Sequence, residues 1–160
     1  MLKRLVIILL VLLNIGCDQW SKEMVRQNVD YGERITLIGQ NFTLTKVENE
    51  GAMLGWGRDL SPFLKTIILQ IVPLALLLVL LIRILQKQNL NKWLVFAFAC
   101  VIGGGIGNLI DRIAHGEVTD FFHIEIWFFK TGIFNMADVS VTMGVLLILL
   151  LSFKNRKLEM

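Results

Sequence analysis

Charge is scarce in this 160-residue chain, with Asp, Glu, Lys and Arg making up 18% of it against 55% hydrophobic residues. Mean hydropathy is +0.66. A soluble domain of this size has too much surface for its volume to hide so much apolar side chain, so that class is excluded. The chain has two cysteines, two histidines and two prolines, and neither repeats nor low-complexity tracts. Cys17 and Cys100 stand far apart in apolar sequence without metal-ligand spacing and read as buried free thiols. The net charge is +3, but the basic residues sit at the ends of apolar runs rather than on one face, which excludes a nucleic-acid surface.

Long apolar runs are what the chain does have. They predict an integral membrane protein, mainly α, with spans at about 5–25, 61–82, 93–110 and 133–153. Spanning takes up so much of the chain that no separate soluble catalytic domain fits, and residues 1–160 read as one domain. Pro62 suits a first helical turn, and Pro73 is expected to bend the second span. Lys3 and Arg4 precede span one, Arg83, Lys87 and Lys92 lie between spans two and three, and Lys154, Arg156 and Lys157 follow span four. By the positive-inside rule both termini and the 83–92 loop are cytoplasmic. Trp20, Trp93 and Trp127 fall near the predicted interfaces.

The external segments, about 27–60 and 116–131, read as β-rich. Ile35–Ile38 and Phe42–Val47 flank Gly39-Gln-Asn41 as a hairpin, with Phe42 and Leu44 on one side and Thr43 and Thr45 on the other. Together they predict a small extracytoplasmic platform on a four-transmembrane-helix bundle. The N-terminus imitates a lipoprotein signal peptide ending at Cys17. However, Asn14 replaces the apolar residue usual three places before such a cysteine, and three further spans follow, so Met1–Cys17 reads as a retained helix.

Carboxylates in such sequence are expensive, by about 2.5–3.5 kcal/mol each on insertion scales. Asp138 lies in Phe134-Asn-Met-Ala-Asp138 with apolar sequence on both sides and no basic partner in its span. Asp18 and Asp111 stand at the outer ends of spans one and three, and Asp120 lies in Val118-Thr-Asp-Phe-Phe122. The topology brings all four to one depth, around a common cavity. Asp111 reads first as a structural ion pair with its neighbours. Asp18 and Asp120 stay open between bracing and chemistry. Clustered aspartates suit water activation, because two carboxylates forced together share a proton: the ionised one takes a proton from water while the protonated one polarises a carbonyl. A metal site from His115 and His123 with Asp120 or Glu125, and a Ser–Lys pair from Ser21 or Ser140 with Lys22 or Lys65, are weaker readings. Gly103 and Gly107 have small-residue packing spacing, which would bring Asn108 near a neighbouring helix. Acids in a membrane cavity also serve transport, so a small non-enzymatic protein binding a cation or proton is the other class.

The sequence resembles the signal peptidase II family, the bacterial lipoprotein signal peptidases. Asp18-Gln-Trp-Ser-Lys22, Asn49-Glu-Gly-Ala-Met53, Gly104–Arg112 with Gly116 and Val118–Phe121, and Phe134–Asp138 resemble its motifs in order. Met53-Leu54 stands where many members carry alanine and phenylalanine. The resemblance implies an aspartic endopeptidase that removes signal peptides from diacylglyceryl-modified prolipoproteins just before the lipidated cysteine. It implies Asp120 and Asp138 as the catalytic pair. Asn49, Asn108, Arg112 and Asn135 would position substrate or brace the pair, with Asp18 and Asp111 supporting it. No metal or cofactor is implied. The partners are the lipid-modified substrate and membrane phospholipid, around a monomer. The location implied is the bacterial cytoplasmic (inner) membrane, with the site near its extracytoplasmic face.

Overall fold

The computed structural model describes residues 2–87 and 91–156. Lys157, used above to orient the chain, lies outside the described residues. In chain order the elements are α1 (Leu2–Asn28), β1 (Ile35–Ile38), β2 (Phe42–Asn49), α2 (Pro62–Gln86), α3 (Lys92–Ala114), β3 (Val118–Ile126), β4 (Phe129–Lys130) and α4 (Met136–Arg156). Among the described residues, α2, α3 and α4 are long and apolar enough to cross a membrane. α1 has 27 residues, about 40 Å at 1.5 Å per residue, apolar in its first half and polar in its second.

The helices share a seam of Ile7 and Val11 from α1, Ile84 from α2 and Val95, Ala99 and Ile102 from α3. Their other faces leave Leu9, Leu13, Leu76, Val79, Leu146 and Leu150 exposed. In water that would be an aggregating patch; against lipid it is the ordinary outside of a bundle. Cys100 is buried, but Cys17 is on the exposed face of α1, not inside as expected. An apolar run that meets lipid leaves its thiol outside as readily as its leucines.

α3 is the centre of the bundle, and its glycines make that possible. A methyl at Gly103 would collide with Asn14, one at Gly107 with Asp18 (both on α1), and one at Gly104 with Ala137 and Val141 of α4. Two neighbouring helices therefore approach α3 at backbone distance, as the glycine spacing predicts. Gly116, at φ +84°, ends α3: His115 N–H bonds Asp111 O at 2.7 Å and Gly116 N–H bonds Arg112 O at 3.1 Å. Glycine takes this left-handed position without strain.

Pro73 is accommodated by a change of winding. It has no N–H for the preceding turn, and residues Thr66–Ile71 widen into a π-turn in which Val72 N–H bonds Ile67 O. This register lets Gln70 donate to Arg112 O at 3.2 Å, tying α2 to the end of α3.

The four strands form one antiparallel sheet in the order β1-β2-β3-β4. β2 and β3 pair Leu44 with Phe122, Val47 with Asp120 and Asn49 with Val118, with a bulge between Leu44 and Val47. The hairpin turn falls where Gly39-Gln-Asn41 predicts it. Simple in–out alternation does not hold: Phe42 packs its ring 5.1 Å from that of Phe122, while Thr43 is also buried and accepts a hydrogen bond from Arg34 Nε at 3.3 Å. Side chains cover both faces of β2.

The fourth helix begins at Met136 rather than 133. Phe134 is extended and bonded to β3, its O accepting from Phe122 N–H at 2.7 Å and its N–H donating to Phe122 O at 2.9 Å. That pairing fixes where α4 starts relative to the sheet.

Candidate active site

Asp138 is not deep in a span. It sits in the first turn of α4, where helix N–H groups and the dipole favour negative charge. Asn135 caps the helix: Asp138 N–H donates to Asn135 Oδ1 at 3.0 Å, and Asn135 N–H donates to Asp138 Oδ2 at 3.1 Å. This reciprocal pair has capping-box spacing, with Asn and Asp in the places of Ser and Glu. The carboxylate's expected lack of stabilisation was therefore overstated, since the first turn supplies its own donors.

Asp120 faces this turn from β3. Asn135 Nδ2 donates to Asp120 Oδ1 at 2.6 Å, and Asn49 Nδ2 donates to Asp120 Oδ2 at 3.0 Å. Asn49 reaches it diagonally across the β2–β3 ladder, with its own Oδ1 held by Gly51 N–H at 3.0 Å. Asn108 Nδ2 donates to Asp138 Oδ1 at 2.9 Å, and Asn108 Oδ1 accepts from Asn135 Nδ2 at 3.1 Å. Two carboxylates thus share one amide network, with Asn135 bonded to both. Burial pushes the Asp120 carboxyl up to about 6; the Asp138 charge adds to this, and the Asn49 and Asn135 hydrogen bonds oppose it.

Asp18 and Asp111 are held by cations rather than by asparagine amides. Lys22, fully buried, lies 2.8 Å from Asp18 Oδ2 and 3.1 Å from Asp111 Oδ2, and Arg26 lies 3.0 Å from Asp111. Gln19 Nε2 donates to both carboxylates, at 3.2 and 3.0 Å. Asp18 Oδ1 also accepts from Ala137 N–H at 2.8 Å, bracing the start of α4 from α1. The ion pairs expected for Asp111 are formed with α1, not with adjacent Arg112.

Arg112 turns the other way. Its Nη2 donates to Gly51 O at 2.9 Å, and its buried Nε has no partner among the described residues. It stands with Asn108 at one end of a mostly apolar cleft of about 280 Å³, also lined by Pro73, Leu77, Gly105 and Val141. A larger cavity of about 520 Å³ lies at the far end of the sheet, among Arg34, Gln40, Glu125 and Trp127, and touches none of the four aspartates.

The rival constellations do not assemble. Ser21 Oγ donates to Asp18 O at 2.8 Å, and Lys65 pairs with Glu50 at 2.9 Å. His115 is exposed, and His123 lies 3.7 Å from Glu125. Among the described residues no three of His, Cys, Asp and Glu come close enough to hold a metal ion.

Sequence reasoning missed Arg26 and the ion-pairing role of Lys22, and named Gln19 only as part of a motif. Asp18 and Lys22 are four apart on a helix, a spacing that signals an ion pair; partners on other elements leave no such mark.

With this geometry in place, comparison with known proteins decides the family. Residues 9–154 match the family described as Signal peptidase (SPase) II. The chain belongs to the signal peptidase II family. A lipoprotein signal peptidase of Streptococcus pneumoniae (strain ATCC BAA-255 / R6) is 31% identical over 154 residues, which is 96% of each chain. One from Streptococcus thermophilus (strain CNRZ 1066) is 35% identical over 153 residues, 96% of this chain and 95% of that one. A solved bacterial membrane enzyme superposes with a TM-score of 0.83 at 29% identity, covering 94% of this chain and 89% of its own. The signal peptidase II family is one of lipoprotein-processing proteases, so the carboxylates and amides described here belong to a membrane peptidase.

Proposed function

We propose that the protein removes signal peptides from diacylglyceryl-modified prolipoproteins by cutting just before the lipidated cysteine, with Asp120 and Asp138 acting as one unit on water. The observation that carries this reading is the Asn135 amide and backbone N–H, bonded at once to Asp120 and Asp138. Burial pushes the Asp120 carboxyl up to about 6, so the pair can share one proton. Asp138, held by Asn108 Nδ2 and by the Asn135 N–H, is the partner of Asp120 in the pair.

The ionised carboxylate of the pair takes a proton from water as the water oxygen attacks the scissile carbonyl carbon, and the protonated one polarises the carbonyl oxygen. Collapse of the tetrahedral diol returns a proton to the amide nitrogen and breaks the C–N bond. The unpartnered Arg112 Nε is a donor for a substrate carbonyl or phosphate-like oxygen. The apolar cleft between α2, α3 and α4 suits acyl chains entering from lipid.

In this reading α1 crosses with the other three helices, residues 1–160 form one monomeric domain in the bacterial inner membrane, the termini are cytoplasmic and the sheet lies outside. Reporter fusions at Asn89 and at Gln40 should read cytoplasm and exterior respectively. The deciding assay is cleavage of a purified diacylglyceryl-modified precursor by the purified protein. Cleavage of the lipid-modified precursor and not of its unmodified form supports the reading, and no cleavage by well-folded protein would favour proton or cation transport.

A further inference from the structure

Three asparagine amides aim N–H donors at the Asp120 and Asp138 pair, and each is held by its own oxygen. Asn49 Oδ1 accepts from Gly51 N–H, and Asn135 Oδ1 accepts from Asp138 N–H, each at 3.0 Å. Those anchors are backbone groups. Asn108 is anchored by side chains: its Oδ1 accepts from Lys22 Nζ at 2.9 Å and from Asn135 Nδ2 at 3.1 Å, while its Nδ2 donates to Asp138 Oδ1 at 2.9 Å.

An ammonium has three hydrogens and no lone pair. Lys22 is fully buried, and its three hydrogens are matched by Asp18 Oδ2 at 2.8 Å, Asp111 Oδ2 at 3.1 Å and Asn108 Oδ1 at 2.9 Å. Turning the Asn108 amide over would set its NH₂ against the ammonium and the Asn135 NH₂, and its oxygen against the Asp138 carboxylate. All three contacts would change from attractive to repulsive.

We infer that Lys22 is a positioning residue for the cleavage reaction: a buried ammonium 2.9 Å from Asn108 Oδ1 that locks this amide with its N–H on Asp138. The inference rests on the reading of Asp120 and Asp138 as the reacting pair. The bonds that Lys22 makes go to Asp18, Asp111 and Asn108, so its hydrogen-bonded route to the reacting pair runs through Asn108. Asp18 and Asp111 hold the ammonium in place, and Asp18 also fixes α4 through Ala137 N–H.

The test uses the full chain in detergent or lipid, with kcat and KM measured separately on a diacylglyceryl-modified precursor. Working in an Asp111→Asn background removes one buried negative charge along with the buried positive one. There Lys22→Met should lower kcat about tenfold to a hundredfold, the size of one lost charge-assisted hydrogen bond, with KM changed less than about threefold. Lys22→Gln, which keeps an N–H within reach of Asn108, should recover most of that rate. Once Asn108→Ala is present, Lys22→Met should cost less than about a further twofold, because the two residues act in series. Asn108→Asp in the wild-type background keeps an oxygen for Lys22 but turns an oxygen toward Asp138, so it should lose as much rate as Asn108→Ala. This last variant decides the matter even if Lys22→Met does not fold. The inference is overturned by additive losses of Lys22 and Asn108, by equal rates for Lys22→Met and Lys22→Gln, by a loss confined to KM, or by an active Asn108→Asp. Inactive Asp120→Asn and Asp138→Asn alongside any of these results leave the aspartate reading standing without Lys22. Activity in those two variants defeats the reading itself.

Discussion

Asp18 and Asp111 face Lys22 and Arg26, whereas Asp120 and Asp138 face asparagine amides and form no ion pair among the described residues. Both pairs are joined through Asn108, so they belong to one polar cluster. What differs is the kind of donor. A buried cation pairs with a carboxylate and fixes its position, which makes a brace. An amide offers a weaker, uncharged donor and leaves proton affinity free to respond to burial, which makes a group that can exchange protons. Mutation separates the two pairs by what fails, rate or stability.

The largest expected effect is on the amide-held pair. Asp120→Asn and Asp138→Asn should each lower cleavage at least about a thousandfold in folded protein, and the double variant should be no worse than either, because residues acting as a unit are not additive. Strong cleavage by either single variant would erase the distinction between the pairs.

Next comes Arg112→Lys, which keeps a charge but loses the planar fork that holds Gly51 O and leaves Nε free. Cleavage should fall about tenfold to a hundredfold with normal insertion, a loss of one charge-assisted contact. Wild-type turnover would reduce Arg112 to a contact for the 49–56 loop.

The ion-paired set should fail differently. Asp18→Asn and Asp111→Asn each leave Lys22 short of a counter-charge in a buried site, and should lower stability by about 2–4 kcal/mol. The rate per folded molecule should drop less than about tenfold. Unfolding in denaturant alongside single-turnover rates would separate the two quantities. A stable but dead Asp111→Asn would move that residue into the reacting pair.

The smallest effects are those of pH. If Asp120 carries the proton, kcat/KM should fall as pH rises through an apparent value near 6, which belongs to the coupled pair rather than to one residue. The sign for stability is the same. The Asp120 carboxyl is raised in the folded state, so its contribution is complete below its ordinary range near 3.8 and lost as pH rises through about 6. Asp120→Asn should therefore be more stable than wild type at pH 8, by up to about 3 kcal/mol, with the difference closing at pH 4. A constant difference across that range would mean that Asp120 is ionised throughout.

Much of this arrangement was legible in the chain. Apolar runs marked the helices, Gly39-Gln-Asn41 marked a hairpin turn, and Gly103 and Gly107 marked a close helix contact, made with α1, while Gly104 between them lets α4 bring Asp138 to Asn108. The eight polar residues singled out lie in or beside one network. What stayed hidden depends on partners distant in sequence. Asp111 takes its cations from α1, some 90 residues earlier, as the Gln19–Asp111 separation of 92 illustrates. The helical start at Met136 follows from Phe134 pairing with β3, which no local periodicity encodes. The Asn135–Asp138 cap was readable from spacing alone, but apolar neighbours masked it as part of a span.

The bond from Ala137 N–H to Asp18 Oδ1 joins residues 119 positions apart, and it has a consequence for biosynthesis. A nascent chain that has emerged only as far as β3 contains Asp120 but neither Asp138 nor the Asn135 amide that would hold it. The α1 carboxylate then waits, already paired with Lys22, until the fourth long helix arrives and docks its first turn. In the proposed reading, proteolytic competence would come only with the arrival of that helix, which carries Asp138 and the Asn135 amide that joins it to Asp120.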